Sequence, residues 1–206
     1  RRRGGSGEAD AQNGPEVGPG DGAVPRILDW QSVPWGVVSL TDTVMREEAP
    51  AHDEAGRLRL YAAMRRMVDE SFAPFARRID AASREDDIRL LGTSGTVTTL
   101  ASLHLQLPHY DRRAVDGLIV PARSMRDIST KLSRLSEEER GQVPCIGPDR
   151  AELVVAGCAI LESILDLWPA DRLGVADRGI REGILRSLMA ADFSGEAMAR
   201  AQRGRD

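Results

Sequence analysis

Apolar and polar residues follow one another along the chain in patterns that predict strands and helices in turn. Short apolar runs at residues 26–31 and 35–40, separated around Pro34, predict two β-strands. Between residues 54 and 79, apolar side chains recur every three or four positions, which is the spacing of a buried helix face. Pro74 lies inside this pattern and is expected to kink or interrupt the helix.

The same reading continues to the end of the chain. It predicts strands at 88–91, 115–120 and 172–175, and helices at 94–105, 124–135, 149–168 and 179–191. Ser136 and Glu139 have the spacing of a capping box, so a short helical turn is expected there. Strands that alternate with helices are typical of an α/β domain with crossover connections. We expect this domain at 25–192, between a flexible glycine-rich segment at 1–24 and a polar tail at 193–206.

Composition narrows the classes of partner. The 206 residues include 28 Lys and Arg against 32 Asp and Glu, so no overall positive field attracts a polyanion, and local loops must hold any phosphate-rich ligand. Aromatic residues make up 4% and no basic stripe accompanies them, which argues against a nucleic-acid partner. The sequence has no apolar run long enough for a membrane partner. Cys145 and Cys158 are expected to be reduced thiols, in keeping with a cytoplasmic location.

The most informative segment is LLGTSGT at residues 90–96, where an apolar strand ends just as a helix begins. Such a junction offers backbone N–H groups to an anion, with the helix dipole behind them. Gly92 and Gly95 allow a close backbone approach, while Thr93, Ser94 and Thr96 add hydroxyl donors. The first hypothesis is a phosphate-binding loop, and the alternative is an ordinary strand-to-helix turn.

Arg150 and Arg181 both lie near the predicted start of a helix. A cation is mildly disfavoured there by the helix dipole, so each arginine is expected to have an anionic partner. That partner is either a bound phosphate or a carboxylate of the chain itself. For Arg181 the carboxylate candidates are Asp177 and Glu182.

Four segments, at residues 32–41, 90–96, 148–151 and 177–183, together resemble the Ppx/GppA phosphatases, a family of exopolyphosphatases and guanosine pentaphosphate phosphohydrolases. The resemblance runs from about residue 22 to about residue 189. It implies the second lobe of an actin-like ATPase fold, a ribonuclease H-like mixed β-sheet flanked by helices. It further implies that a loop at 92–96 holds phosphate oxygens. Water, assisted by Mg²⁺, would release terminal phosphate from polyphosphate or guanosine pentaphosphate.

Members of this family begin their second lobe with a phosphate loop of the form Asp-Ile-Gly-Gly-Gly-Ser-Thr-Glu, and RRRGGSGE at residues 1–8 is the nearest counterpart here. By this resemblance Gly5 and Ser6 would bind phosphate, and Glu8 would position water or metal. Arginine stands where the family has its leading aspartate, which reverses the charge offered to a metal, so a low-complexity accident is the alternative. The metal ligands stay unassigned.

The family's catalytic glutamate belongs to an upstream lobe for which this sequence has no residues. We therefore expect the chain to need that missing lobe as a partner, and related two-lobed proteins suggest a possible homodimer. The alternative function is a non-hydrolytic module that binds polyphosphate or a guanosine alarmone through the same loop.

Overall fold

The computed structural model describes residues 27–82, 89–179, 181–185 and 188–189. Gly5, Ser6 and Glu8, and with them the predicted counterpart of the first phosphate loop, lie outside these residues. Residues 27–31 belong to a unit separate from residues 32–206 and contain neither helix nor strand. The elements described below all lie in the second unit.

Eight helices and three strands are assigned in the described part of the second unit. In chain order they are α1 (Val37–Glu47), α2 (Glu54–Ala82), β1 (Leu90–Gly92), α3 (Gly95–His104), α4 (Arg112–Val115), β2 (Ile119–Pro121), α5 (Ala122–Arg134), α6 (Glu137–Gly141), α7 (Pro148–Ala151), α8 (Val154–Leu167) and β3 (Arg172–Val175). Residues 181–185 and 188–189 are helical as well. None of the helices in the described ranges combines the length and the apolar character that crossing a bilayer requires.

The three strands form one mixed sheet in the order β1-β3-β2. β1 runs parallel to β3 and pairs Gly92 with Val175, while β2 runs antiparallel to β3. Pro121 ends β2 at an edge of the described sheet, which is where a strand tolerates proline. A mixed sheet with helices packed against it confirms the predicted α/β class.

The sheet buries one face and leaves the other in water. Val120, Leu173 and Val175 are buried, and α3 and α5 contact the sheet. Because side chains alternate between the faces of a strand, Leu91 and Ile119 share the opposite face. Leu91 is 68% exposed and Ile119 is 63% exposed, so this face presents an apolar row to solvent.

Helix α8 runs through the centre of the core and contacts α1, α2, α3, α5 and α7.

Cys158 lies on α8 and is fully buried, and this burial raises the pKa of its thiol to about 12. The thiol therefore stays protonated and unreactive. Cys145 is half-buried, and both cysteines are free, which confirms the sequence-based expectation.

A network of ion pairs joins three helices on one side of this core. Arg65 of α2 pairs with Glu162 at 3.3 Å and also with Asp166, both on α8, and Arg126 of α5 pairs with Asp166 at 2.6 Å. Glu162 is buried, and the loss of solvation raises the pKa of its carboxyl above the ordinary value although Arg65 opposes this. The ion pairs therefore link α2, α5 and α8 to one another. Burying the Glu162 carboxylate costs solvation free energy that these pairs offset only in part.

Replacing Glu162 by glutamine is expected to change how stability depends on pH. The pKa of Glu162 is raised in the folded state, so its stabilising contribution is complete at low pH and is lost as pH rises through that pKa. The free energy of unfolding of Glu162→Gln should therefore rise relative to that of the original chain as pH increases from below to above the ordinary glutamate pKa. Urea unfolding across this range measures the difference. Glu138→Gln, which removes an exposed carboxylate of α6, is the control for the loss of one surface acid and should change the free energy of unfolding by less than about 0.5 kcal/mol.

Arg140 of α6 is a buried cation that binds backbone oxygens. Its Nε donates to the carbonyl of Ala151 at 2.6 Å, and its Nη1 donates to the carbonyl of Leu135 at 2.5 Å. Burial lowers the pKa of this guanidinium. Arg140 thereby links the end of α7 at Ala151, next to Arg150, to Leu135, which precedes α6.

Two of the predicted strands are wrong. Residues 27–31 form no strand, and residues 35–40 lead into α1. The Gly36 N–H donates to Ser39 Oγ at 2.9 Å, which caps the start of a helix. The buried residues Leu40, Thr41 and Val44 continue the helical spacing past the point where the apolar run ended. Short apolar runs do not distinguish a strand from a helix turn, and here the helix formed.

Two further predictions need correction at their boundaries. The strand predicted at 115–120 is instead the end of α4, a turn at Gly117 with φ of +88°, and β2 at Ile119–Pro121. Asp111 accepts a hydrogen bond from the Arg113 N–H at 2.9 Å and so starts α4. The helix predicted at 149–168 is divided into α7 and α8 by a turn at residues 152–153.

Helix α2 continues through Pro74, so the predicted interruption of the helix does not occur. Pro74 is exposed. Phe72 and Phe75, on either side of it, both pack edge-on against Trp168 at centroid distances of 5.9 and 5.8 Å. These contacts hold both halves of the helix to the core.

Other predictions are confirmed. β3 spans residues 172–175 as expected, and α3 begins directly after Ser94. The capping box is present, with the Ser136 N–H donating to Glu139 Oε2 at 2.7 Å and the Glu139 N–H to Ser136 Oγ at 3.2 Å.

Candidate functional site

The junction between β1 and α3 has the geometry of an anion-binding helix start. Ser94 is the N-cap of α3, and its Oγ accepts the Val97 N–H at 3.3 Å. The N–H groups of Gly95 and Thr96 precede the first intrahelical bond and donate to no acceptor within the described residues. Two backbone donors are thus left at the positive end of a ten-residue helix.

Close packing holds this junction in place from the strand side. A Cβ on Gly92 would lie 2.8 Å from both methyl groups of Val97, so only glycine fits where β1 meets the first turn of α3. The hydroxyls of Thr98 and Thr99 donate to the Gly95 carbonyl at 3.1 and 2.8 Å. These contacts constrain the orientation of the backbone groups in the first turn of α3.

Ser94, Gly95 and Thr96 line an open cavity of about 580 Å³. Arg150 lines the same cavity from α7, although 54 residues separate it from Thr96 in the sequence. The rest of the wall consists of apolar residues and glycines: Trp35, Gly36, Val37, Leu153, Val154, Gly157 and Ile160, together with Thr99. Two groups that the sequence singled out separately therefore meet in one space.

Arg150 is exposed, and its backbone N–H donates to the Gly147 carbonyl at 3.3 Å, but its guanidinium forms no ion pair or hydrogen bond with any residue that the structure describes. The sequence predicted either a carboxylate of the chain or a bound phosphate as the partner of Arg150. No carboxylate in the described part of the chain pairs with it, so the bound phosphate is the alternative that the described residues favour. Its charge is available to an anion that also reaches the Gly95 and Thr96 N–H groups.

The other predicted residues are placed differently. Thr93 is exposed between β1 and the cap, and neither Thr93 nor Gly92 is part of the cavity wall. Arg181 is exposed on the helical segment after β3 and does not line the cavity. Neither of its suggested carboxylates is paired with it: Asp177 pairs with Arg112 at 3.0 Å, and Glu182 Oε2 accepts the Gly179 N–H at 2.8 Å.

The acids near this end of the sheet already have partners. Asp116 accepts the Asp177 N–H at 3.0 Å and pairs with Arg178 at 3.3 Å, and these bonds lower the pKa of its carboxyl. Tyr110 donates to Asp177 at 2.6 Å. No carboxylate lines the cavity, and no group of three His, Cys, Asp or Glu side chains gathers within the described ranges. Mg²⁺ prefers carboxylate and phosphate oxygens, so the described residues on this side of the cavity do not by themselves fit a magnesium ion.

Sequence reasoning missed Trp35 and Gly157 as parts of the site. The Trp35 indole N–H donates to the Met67 carbonyl at 3.0 Å and to Ser71 Oγ at 2.7 Å, which fixes the ring at the cavity wall. Because the sequence predicted a strand at residues 35–40, Trp35 was not considered as part of a site. Gly157 did carry a signal, since a glycine inside an apolar helix usually has a packing reason.

Comparison with known proteins identifies the family. A model of the Ppx/GppA phosphatase family matches residues 20–192. The chain belongs to that family. Exopolyphosphatase 2 of Mycobacterium tuberculosis is 26% identical to it over 157 residues, which are 74% of this chain and 46% of the relative. The chain therefore spans about half the length of the curated relatives that it matches.

Solved structures of Ppx/GppA proteins share the fold. An Aquifex aeolicus member is 25% identical, has a TM-score of 0.62, and is matched over 79% of this chain and 50% of its own. An exopolyphosphatase from Cytophaga hutchinsonii is 21% identical, with a TM-score of 0.64 and coverage of 81% and 51%. The expected class, a ribonuclease H-like lobe of the actin-like ATPase fold, is confirmed by these matches.

Proposed function

We propose that this member of the Ppx/GppA family is the phosphate-binding lobe of a phosphoanhydride hydrolase that releases terminal phosphate from polyphosphate, guanosine pentaphosphate or both. One observation carries the proposal: the free N–H groups of Gly95 and Thr96 and the unpaired guanidinium of Arg150 line the same cavity. Two aligned backbone donors and one cation suit a phosphate oxygen cluster. The exopolyphosphatase name of the mycobacterial relative supports this class of substrate.

In this proposal the chain binds and orients its substrate. The Gly95 and Thr96 N–H groups bind oxygens of the terminal phosphate, and Arg150 neutralises part of the charge. Since no carboxylate lines the described cavity, the base for water belongs to the missing lobe. A magnesium ion, which the family resemblance implies, would likewise need ligands from outside the described residues, including Glu8 if the first phosphate loop is real. A cytoplasmic location and a homodimer stay predictions.

Replacing Arg150 by glutamine tests the site directly. Loss of the cation should weaken binding of inorganic tripolyphosphate about tenfold, because hydrogen bonds to charged groups contribute about 1.5–3 kcal/mol each. Isothermal titration calorimetry at low salt measures the affinity. Arg123→Gln is the control, since Arg123 is exposed on α5 away from the cavity and its variant should bind as the original chain does. Equal affinities for all three proteins would contradict the site.

A non-hydrolytic binding module is the second candidate, and the absence of a carboxylate from the described cavity wall favours it for this chain alone. Phosphate release from polyphosphate and from guanosine pentaphosphate separates the two. A longer protein that joins this chain to an upstream Ppx/GppA lobe should release phosphate, whereas this chain alone should bind without turnover. If the longer protein also binds without turnover, the binding module is the better description.

A further inference from the structure

Gly157 allows an unusually close contact between helix α8 and the first turn of α3. A Cβ at this position would lie 2.6 Å from Thr96 Cγ2 and 2.8 Å from Thr96 Cβ, and closer still to Thr96 Oγ1. Real Cβ atoms do not approach other heavy atoms so closely, so any other residue would force Thr96 or one of the helices to move. Glycine inside a helix is unfavourable by itself, which leaves this contact as its structural reason.

Thr96 links this contact to the candidate site. It is the second residue of α3, its backbone N–H is one of the two free donors, and it lines the cavity together with Gly157. On the opposite side, Gly92 allows Val97 to pack against the end of β1. The first turn of α3 is therefore held between two glycine contacts, one from β1 and one from α8.

We propose that Gly157 is a positioning residue for phosphate binding: by admitting the side chain of Thr96, it sets the direction of the Gly95 and Thr96 N–H groups relative to Arg150. This inference rests on the proposed function, because it assumes that these donors bind phosphate. The donors and Arg150 come from different elements, so a shift of α3 changes their spacing. Binding that needs both then becomes weaker.

Gly157→Ala should reduce the affinity for inorganic tripolyphosphate roughly tenfold while the protein stays folded. Gly141→Ala is the matched control. Gly141 ends α6, and a Cβ there would meet its nearest neighbour at 3.6 Å, which is ordinary contact. A purely structural role for Gly157 would lower the midpoint of thermal unfolding without changing the affinity measured well below that midpoint.

The variant Thr96→Gly isolates the route of the effect. Removing the threonine side chain removes the atoms that a Cβ at residue 157 would strike. Thr96→Gly weakens binding by itself, but adding Gly157→Ala to it should cause no further loss, so the two changes should be strongly non-additive. Independent, multiplying losses of affinity would overturn the proposal.

Amide resonances of the ligand-free protein distinguish failure of this inference from failure of the proposed function. In Gly157→Ala the amide signals of Gly95 and Thr96 should move, whereas in Gly141→Ala they should stay. If the original chain binds tripolyphosphate and these signals do not move in Gly157→Ala, the positioning role is wrong. If the original chain does not bind tripolyphosphate, the proposed function fails and the role in phosphate binding fails with it; moved signals would then report a packing contact alone.

Discussion

Replacing Arg140 by alanine is expected to lower the free energy of unfolding by about 3 kcal/mol, since each of its two charge-assisted bonds contributes about 1.5 kcal/mol or more. The carbonyl oxygens of Leu135 and Ala151 accept these bonds. Because Arg140 is only 8% exposed, no solvent replaces its guanidinium without rearrangement. The lost contacts also release the end of α7, which carries Arg150 at the wall of the cavity next to α3.

Urea unfolding of Arg140→Ala, followed by circular dichroism, measures this loss. Arg140→Lys keeps the charge but not the planar fork of donors, and it should fall between the original chain and the alanine variant. Arg123→Ala is the control, because the 93% exposed Arg123 side chain forms a 4.0 Å pair with Asp127 that contributes little. If Arg140→Ala and Arg123→Ala unfold at the same urea concentration, Arg140 has no special structural role.

Arg65→Ala is the second change with a large expected effect, a loss of about 2 kcal/mol. Breaking a buried ion pair from one side leaves the other charge without its partner, which costs up to about 3–5 kcal/mol when both groups are fully buried. Here Glu162 is buried but the Arg65 side chain is 29% exposed, so the smaller figure applies. Asp166 keeps its contact with Arg126, so the remainder of the network should survive.

The neighbouring residue Arg66 provides a matched control for Arg65. Its side chain is 62% exposed and pairs with Glu48 at 3.6 Å, so Arg66→Ala should lower the free energy of unfolding by less than about 1 kcal/mol. Adding Glu162→Gln to Arg65→Ala should recover part of the loss, because the unpaired carboxylate is then gone. If the double variant is as unstable as the sum of its single changes predicts, the two residues are not coupled.

Much of the fold could be predicted from the sequence where local signals agree. The junction at residues 90–96 combines an apolar strand, two glycines and a capping serine, and its elements formed as expected. The capping box at Ser136 is equally local, because its two partners lie within four consecutive residues. Such features do not depend on what the rest of the chain does.

The errors occurred where tertiary contacts decide. The apolar run before α1 fits a strand and a helix equally well, and the cap at Gly36 together with packing of Leu40 and Val44 selects the helix. An interruption of α2 at Pro74 was one of the two expected outcomes, yet the helix is continuous there, and Phe72 and Phe75 on either side pack against Trp168.

The candidate site could be predicted only in part for the same reason. The loop at 92–96 and Arg150 were each found from local chemistry, but no sequence pattern shows that residues 94–96 of this loop share a cavity with Arg150. That placement depends on how α8 packs against α3 and how α7 packs against α8. Gly157 shows this most clearly, because its importance lies in a contact with Thr96, 61 positions earlier in the sequence.

The apolar row formed by Leu91 and Ile119 determines how this protein must be handled. Side chains of this kind in water favour adhesion to any other nonpolar surface, including hydrophobic chromatography media and vessel walls. The mean molecular mass measured by light scattering should therefore increase with protein concentration. Titrations carried out on dilute samples will report ligand affinity free of this background aggregation.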